Sequence, residues 1–191
     1  MKQKIIQESI LLFERKGFGS TSIQDIVDTL HVTKGTFYYY FSSKEQLLMD
    51  IHSEYIEDLL KRQNVIIEQP GTFRKKLYDI VYLLITDIEA QGSAGRVFFR
   101  EMRHLEETHA EEIKQKRDTF RQNIEHILLK GIEQGEFRKE LQIEMLSFAI
   151  LGMTNWSYQW YQPDGKIPPN ELANIYVDMV LNGISAAADT N

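Results

Sequence analysis

The residues best suited to surface chemistry lie in one short run, Thr33-Lys34-Gly35-Thr36-Phe37-Tyr38-Tyr39-Tyr40-Phe41. A packed helix needs only an apolar stripe, and Phe37 with Phe41 at i, i+4 supplies one by pointing inward. Thr36, Tyr38, Tyr39 and Tyr40 then present hydroxyls over the outward arc, Lys34 adds a cation, and Gly35 removes a side chain where backbone must approach a surface closely. Hydroxyls, a cation and open backbone suit the gripping of phosphate. The competing use of three adjacent tyrosines is to line a core or a subunit contact.

Catalytic chemistry has few candidates. The chain has no cysteine, which removes disulfides, zinc fingers and thiol catalysis together. Glu101-x-x-His104 and Glu106-x-x-His109 resemble the Glu-x-x-His elements of di-iron bundles. They stand five residues apart, and at about 100° per residue one continuous helix would turn them roughly 140° from each other. No Walker loop, GxSxG elbow or HExxH is present. The expectation is a protein that is not an enzyme, with no metal and no cofactor.

The elements that must position the hydroxyl-rich run are helical. Apolar residues recur at three-and-four spacing almost everywhere, no segment alternates, and the four prolines stand only at Pro70, Pro163, Pro168 and Pro169. A first helix runs from about Lys2 to Lys16 with Ile6, Ile10 and Phe13 on one face, and Gly17 stands where a left-handed cap is wanted. Thr21 with Gln24 three residues later fits a capping box, and Ile23, Ile26, Val27 and Leu30 give the stripe of a short second helix. After only Leu30-His31-Val32 a third helix spans about Thr33 to Tyr40, and Ser42 to Gln46 caps a long fourth through Leu48, Ile51, Tyr55, Leu59 and Ile66. Two short helices joined by so tight a turn, backed by a third, meet the requirement of a helix-turn-helix: one element crosses the backbone while the next enters the major groove.

With 191 residues, 42% hydrophobic and 26% charged, the composition is that of a soluble globular protein of one larger and one smaller domain. We expect a head over residues 1–47 and a body over 48–191. The net charge of −6 opposes nucleic-acid binding at first, because phosphate contacts draw on Lys and Arg. Its distribution softens that objection, since residues 1–47 carry a surplus of one positive charge and the acidity belongs to the body. A head so weakly basic needs two copies, backbone amides and hydroxyls as much as charge.

Gly17-Phe18, Thr21-Ser22, Asp25-Ile26-Val27, the run from Val32 to Phe41, and Ser43-Lys44-Glu45-Gln46-Leu47 together resemble the N-terminal signature of TetR-type regulators. The resemblance implies an all-α homodimer in which a larger C-terminal domain binds a small molecule and changes the spacing of two DNA-binding heads. Matched position by position, it implies that Thr36, Tyr38, Tyr40 and Lys44 touch phosphates or bases of double-stranded operator DNA. Thr33, Lys34, Gly35 and Tyr39 lie beside them, and Thr21 and Ser22 sit at the N-terminus of the second helix, an anion site. One departure is His31, where the family usually has glycine. That position often needs positive φ, which histidine adopts less readily than glycine but more readily than most residues.

The body reads as a fifth helix through Leu77, Ile80, Leu84 and Ile88, a break at Gly92-Ser93, a sixth over about Gly95 to Leu105, a seventh from about Thr108 to Gly135, and two more over about Gln142 to Tyr161 and Pro169 to Ser185, giving about nine. The eighth is apolar on more than one face, so it is expected to meet both the interior and a second subunit. In TetR-type proteins the last two helices pair with their mates, and Gly152, Tyr158, Tyr176, Met179 and Gly183 are the interface residues expected here. Tyr78, Tyr82, Phe98, Phe99, Met102, Arg103, Met153 and Trp156 are expected to line an apolar ligand pocket.

The run from Leu151 to Tyr161, with Pro163-Asp164-Gly165 and Leu172-Ala173, resembles a subgroup of TetR-type repressors that controls breakdown of fatty acids, steroids and related acids. Several of its members respond to acyl-CoA thioesters. The effector implied is therefore a small apolar molecule or an acyl-CoA, with a drug-like ligand as the alternative, and Arg96, Arg100 and Arg103 are either its phosphate contacts or ordinary surface arginines. A helical ligand-binding protein without DNA binding is the remaining reading, and it requires the hydroxyl-rich helix to be buried. The absence of an apolar run of roughly 18 residues points away from the membrane and to the cytoplasm.

Overall fold

The computed structural model describes residues 1–182, and among these there are eight α-helices, one 3₁₀ turn and no strand. They are α1 (Lys2–Lys16), α2 (Ile23–Leu30), α3 (Lys34–Tyr40), α4 (Lys44–Glu68), α5 (Phe73–Glu101), the 3₁₀ turn Met102–His104, α6 (Glu107–Glu133), α7 (Ile143–Trp160) and α8 (Pro169–Asn182). The all-α expectation holds. The break expected at Gly92-Ser93 falls one residue earlier: α5 is two helical segments that meet at a kink at Gln91, whose φ −137° and ψ 27° are not helical. Gln91 spans the bend with its side-chain amide, which donates to the Asp58 carboxylate at 2.8 Å.

The chain packs as two compact units. The first joins residues 1–61 to residues 91–120, and the second joins residues 62–90 to the described residues from 121 to 182. The first unit thus takes in more than residues 1–47. Its core includes Ile5, Phe13, Ile26, Phe37, Phe41 and Leu47, each 1% exposed or less. Several of these are the positions that helical periodicity marks as inward-facing. His52 and Tyr55 of α4 continue this core by packing on Phe98 of α5.

The second unit buries Leu77, Ile80, Ile85, Ile124 and Ile150 completely. It also buries a polar group that periodicity does not reveal. The Asp87 carboxylate, with no exposed surface, pairs with Arg62 and accepts a hydrogen bond from the Tyr158 hydroxyl at 2.7 Å. Gly131 allows the Phe137 ring to lie against α6, since a Cβ there would stand 2.1 Å from the ring.

Candidate nucleic-acid interface

The candidate interface lies on α2 and α3. Ser22 caps α2: its hydroxyl accepts from the Asp25 N–H at 3.1 Å, while the Asp25 carboxylate accepts from the Ser22 N–H at 2.7 Å. The box is therefore Ser22 with Asp25, not Thr21 with Gln24. Hydrogen bonds from Ser22, and then from Lys16, pull the Asp25 carboxyl down to about 2. At the other end His31 takes the left-handed conformation, φ 54° and ψ 42°, and its N–H returns to the Asp28 carbonyl at 3.2 Å. The positive φ foreseen at this departure from glycine is what closes the turn.

Thr33 then caps α3, its Oγ1 accepting from the Thr36 N–H at 3.2 Å and lying 3.1 Å from the Thr36 hydroxyl. The seven-residue helix divides cleanly by burial. Phe37 is fully buried, and Phe41, just beyond the helix, is 1% exposed, whereas Tyr38 is 53% and Tyr39 81% exposed. Thr33, Lys34 and Gly35 are exposed as well, with Thr36 and Tyr40 half-buried at the margin. Tyr38 stands edge-on to Phe37, and Tyr39 edge-on to Tyr40, so the exposed rings are propped by their neighbours. Ser22 is also exposed, at the start of α2.

Two residues expected on that surface serve elsewhere. Thr21 is 1% exposed and donates its hydroxyl to the Gly17 carbonyl at 2.8 Å, so it closes the α1–α2 turn from inside. Lys44, at the start of α4, donates to the carbonyls of Phe18 (2.8 Å) and Thr21 (2.5 Å), with its ammonium 4.2 Å from the centre of the Phe18 ring. Burial lowers its pKa, opposed by the charge of Asp25. Lys44 is thus a strut from α4 to the α1–α2 turn, because its long stem brings the cation to carbonyls that lie beyond the helix end.

How the head is fastened had no signal in the residue pattern. Arg96 donates to the Glu14 carboxylate, and Arg100 donates to the Phe13 and Glu14 carbonyls near the end of α1 and to the Glu101 carboxylate. These two arginines are therefore engaged with α1 rather than left as idle surface. Glu45 of α4 accepts from the Glu106 N–H and from His109 Nδ1, both at 2.9 Å, and so caps α6. The Glu45 hydrogen bond raises the His109 pKa, against the opposing effect of burial. Glu45, Glu106 and His109 are the trio among the described residues whose ligand atoms lie within 4.8 Å of one another. The Glu45 carboxylate is already engaged there by two N–H donors. His104 instead faces Glu101, at 3.5 Å, so the two Glu-x-x-His elements do not converge.

The residues expected in a ligand pocket divide between the units. Phe98, Phe99, Met102 and Arg103 belong to the first, and Tyr78, Tyr82, Met153 and Trp156 to the second. Phe98 is core, Met102 Sδ accepts from Arg117 at 3.1 Å, Arg103 is exposed, and Trp156 is 68% exposed. Of the interface residues, Tyr158 is 3% exposed and bound to Asp87 inside the second unit, which corrects its outward placement. Tyr176 is half-buried, its hydroxyl 2.8 Å from Ser157 Oγ. Gly152 and Met179 are exposed. Gly183 lies outside the described residues. Met145, Phe148, Trp156 and Trp160 on α7 and Ile175 and Met179 on α8 leave apolar surface uncovered.

Comparison with known proteins places this geometry. Residues 70–184 match the family described as "Tetracyclin repressor-like, C-terminal domain", and residues 5–51 match "Bacterial regulatory proteins, tetR family". The HTH-type transcriptional repressor KstR2 of Rhodococcus jostii is 27% identical over 190 residues, covering 97% of this chain and 91% of its own. The crystal structure of PfmR, a TetR family transcriptional regulator from Thermus thermophilus, superposes with a TM-score of 0.88 at 28% identity over 95% of this chain and 99% of its own. AibR, solved in complex with isovaleryl coenzyme A and operator DNA, has the same fold, with a TM-score of 0.85 at 20% identity over 94% of this chain and 97% of its own. Among the described residues no helix is long and apolar enough to cross a membrane.

Proposed function

This chain belongs to the TetR family of bacterial regulatory proteins, and on that premise we propose that it is a cytoplasmic repressor that binds a near-palindromic operator as a homodimer and leaves it when a small apolar effector binds. The observation that carries this reading is the division of α3, with Phe37 and Phe41 buried while Tyr38 and Tyr39 stand in solvent beside Lys34 and Gly35. A helix committed to a core or used only as scaffold would not spend its whole outer arc on hydroxyls. The contacts we assign to DNA are Ser22, Thr33, Lys34, Gly35, Thr36, Tyr38, Tyr39 and Tyr40.

Dimerisation is supported by the number of uncovered apolar side chains on α7 and α8, since exposed apolar surface gathered on two helices marks an interaction site. A homodimer also supplies the second head that a weakly basic DNA-binding surface needs. For the effector we favour an acyl-CoA thioester. Support comes from AibR, a protein of the same fold solved with isovaleryl coenzyme A.

Fluorescence anisotropy with the DNA upstream of the protein's own gene tests the reading. Saturable binding to a near-palindrome, falling steeply with salt and released by an acyl-CoA, is the expected result. No preference over random DNA refutes the repressor. Specific binding that acyl-CoAs leave intact refutes only the effector class.

A further inference from the structure

A second cation-lined feature lies away from the outer arc of α3. In the first compact unit a cleft of roughly 410 Å³ opens between the end of α1 with the α1–α2 turn and the end of α5 with its 3₁₀ turn. Arg15, Lys16, Arg100, Arg103 and His104 line it, with Glu101 as the one acid. Four fixed cations around one cleft are conspicuous in a chain of net charge −6.

Two of these cations are engaged. Lys16 pairs with Asp25 at 3.3 Å, and Arg100 is committed to the α1 carbonyls and to Glu101. Glu101, 2% exposed, is held by Arg100 and faces His104. Its charge is therefore already answered and does not cancel the rest. Among the described residues Arg15 and Arg103 make no ion pair, and both residues are exposed. Gly19, in the same wall, has no atom within 4 Å of where a Cβ would stand, so backbone there is open to a ligand.

We propose that this cleft is a binding site for the doubly charged phosphate group of a small molecule, held between Arg15 of α1 and Arg103 of the 3₁₀ turn. Like charges gathered in a concave site repel until an anion enters, and paired guanidinium forks match the oxygens of a phosphate. Two sources carry this group, free inorganic phosphate and a phosphorylated nucleoside such as the end of a coenzyme A. The volume accommodates either. Binding of free phosphate would be independent of the effector class favoured above, whereas the coenzyme A source rests on it. Its floor is the α1–α2 turn, and Phe18 in its wall also supplies a carbonyl to Lys44.

Calorimetric titration of the full chain with sodium phosphate and with adenosine 3′,5′-bisphosphate tests the site, with sodium chloride at matched ionic strength as reference. Saturable binding by wild type is expected, weakened roughly tenfold or more in R15Q/R103Q and less in R15K/R103K, which keeps charge but loses the planar fork. Response to both titrants assigns the site to the phosphate group alone. Response to the bisphosphate only assigns it to a nucleotide. Absence of saturation with both titrants up to about 10 mM, a level at which a Kd would leave little affinity, or equal binding by R15Q/R103Q, overturns the proposal. Operator binding in phosphate-free buffer is the second arm, with unchanged affinity and salt slope expected for R15Q/R103Q. A slope reduced by about one per lost arginine, with no small-anion binding, would assign the cleft to the DNA backbone and overturn the proposal as well.

Discussion

Replacing Lys44 separates two roles that the same residue type could play. In the structure its ammonium satisfies the carbonyls of Phe18 and Thr21 and sits over the Phe18 ring. A hydrogen bond to a charged group contributes about 1.5–3 kcal/mol net, and a cation over an aromatic face adds about 0.5–1 kcal/mol at a partly exposed site. Lys44 is only half-buried, so water can reach the vacated carbonyls, and we discount the sum to about 2–3 kcal/mol for Lys44→Gln. For a chain of about 150–250 residues each kcal/mol moves Tm by about 2–4 °C, which gives a drop of roughly 5–10 °C. Thermal unfolding should be compared at one protomer concentration, because the Tm of the proposed dimer would depend on concentration. Operator affinity should fall with the distorted turn, while the dependence of log K on log salt keeps its slope. A phosphate contact behaves oppositely, leaving Tm alone and lowering the slope by about one per protomer, or about two for a dimer. A Tm within about 1 °C of wild type together with that loss of slope would refute the strut.

Three other perturbations probe different parts of the chain. Tyr38→Phe keeps the edge-on packing against Phe37 and removes only the hydroxyl. Operator binding should weaken by about two- to tenfold per protomer on every sequence tested, and an effect confined to one base position would argue for base reading instead. The Glu45–His109 pair should make stability depend on pH: with the folded His109 pKa raised, its contribution is complete below the unfolded value of about 6.5 and disappears as pH rises through the folded value. Denaturant titrations of wild type and His109→Gln across that range should therefore diverge at low pH and converge at high pH, and parallel curves would remove the pair as a stabilising contact. Gly131→Ala puts a Cβ 2.1 Å from Phe137, so the ring must move, at a cost of about 1–3 kcal/mol. A variant as stable as wild type would show that Phe137 has room to leave.

Local pattern carried most of the fold because helices answer to neighbours three and four residues away. The burial of Phe37 and Phe41, the exposure of Tyr38 and Tyr39 and the left-handed His31 all follow from residues within one turn of them. The choice of Ser22 over Thr21 as the cap was less legible, since adjacent hydroxyl residues look alike until the interior claims one. Arg100 was illegible for a different reason. Its partners, the Phe13 and Glu14 carbonyls, lie 87 and 86 residues away and are backbone atoms, which no residue type advertises. Asp87 and Tyr158, 71 residues apart, likewise form a pair that neither helix announces. Asp87 sits on an apolar stripe, and a buried carboxylate there demands a partner. That demand was the available clue.

The fastening of α1 bears on how such a regulator can be recombined. A chimera that exchanges residues 1–47 for those of another chain would remove the Glu14 carboxylate that Arg96 engages and the Glu45 carboxylate that His109 engages, and would re-seat the carbonyls that Arg100 grips. The operator specificity of this protein is therefore not a detachable cartridge. A graft that keeps its host's response must carry the last third of α5 and the first half of α6 along with the head, or rewrite those three side chains to suit the newcomer.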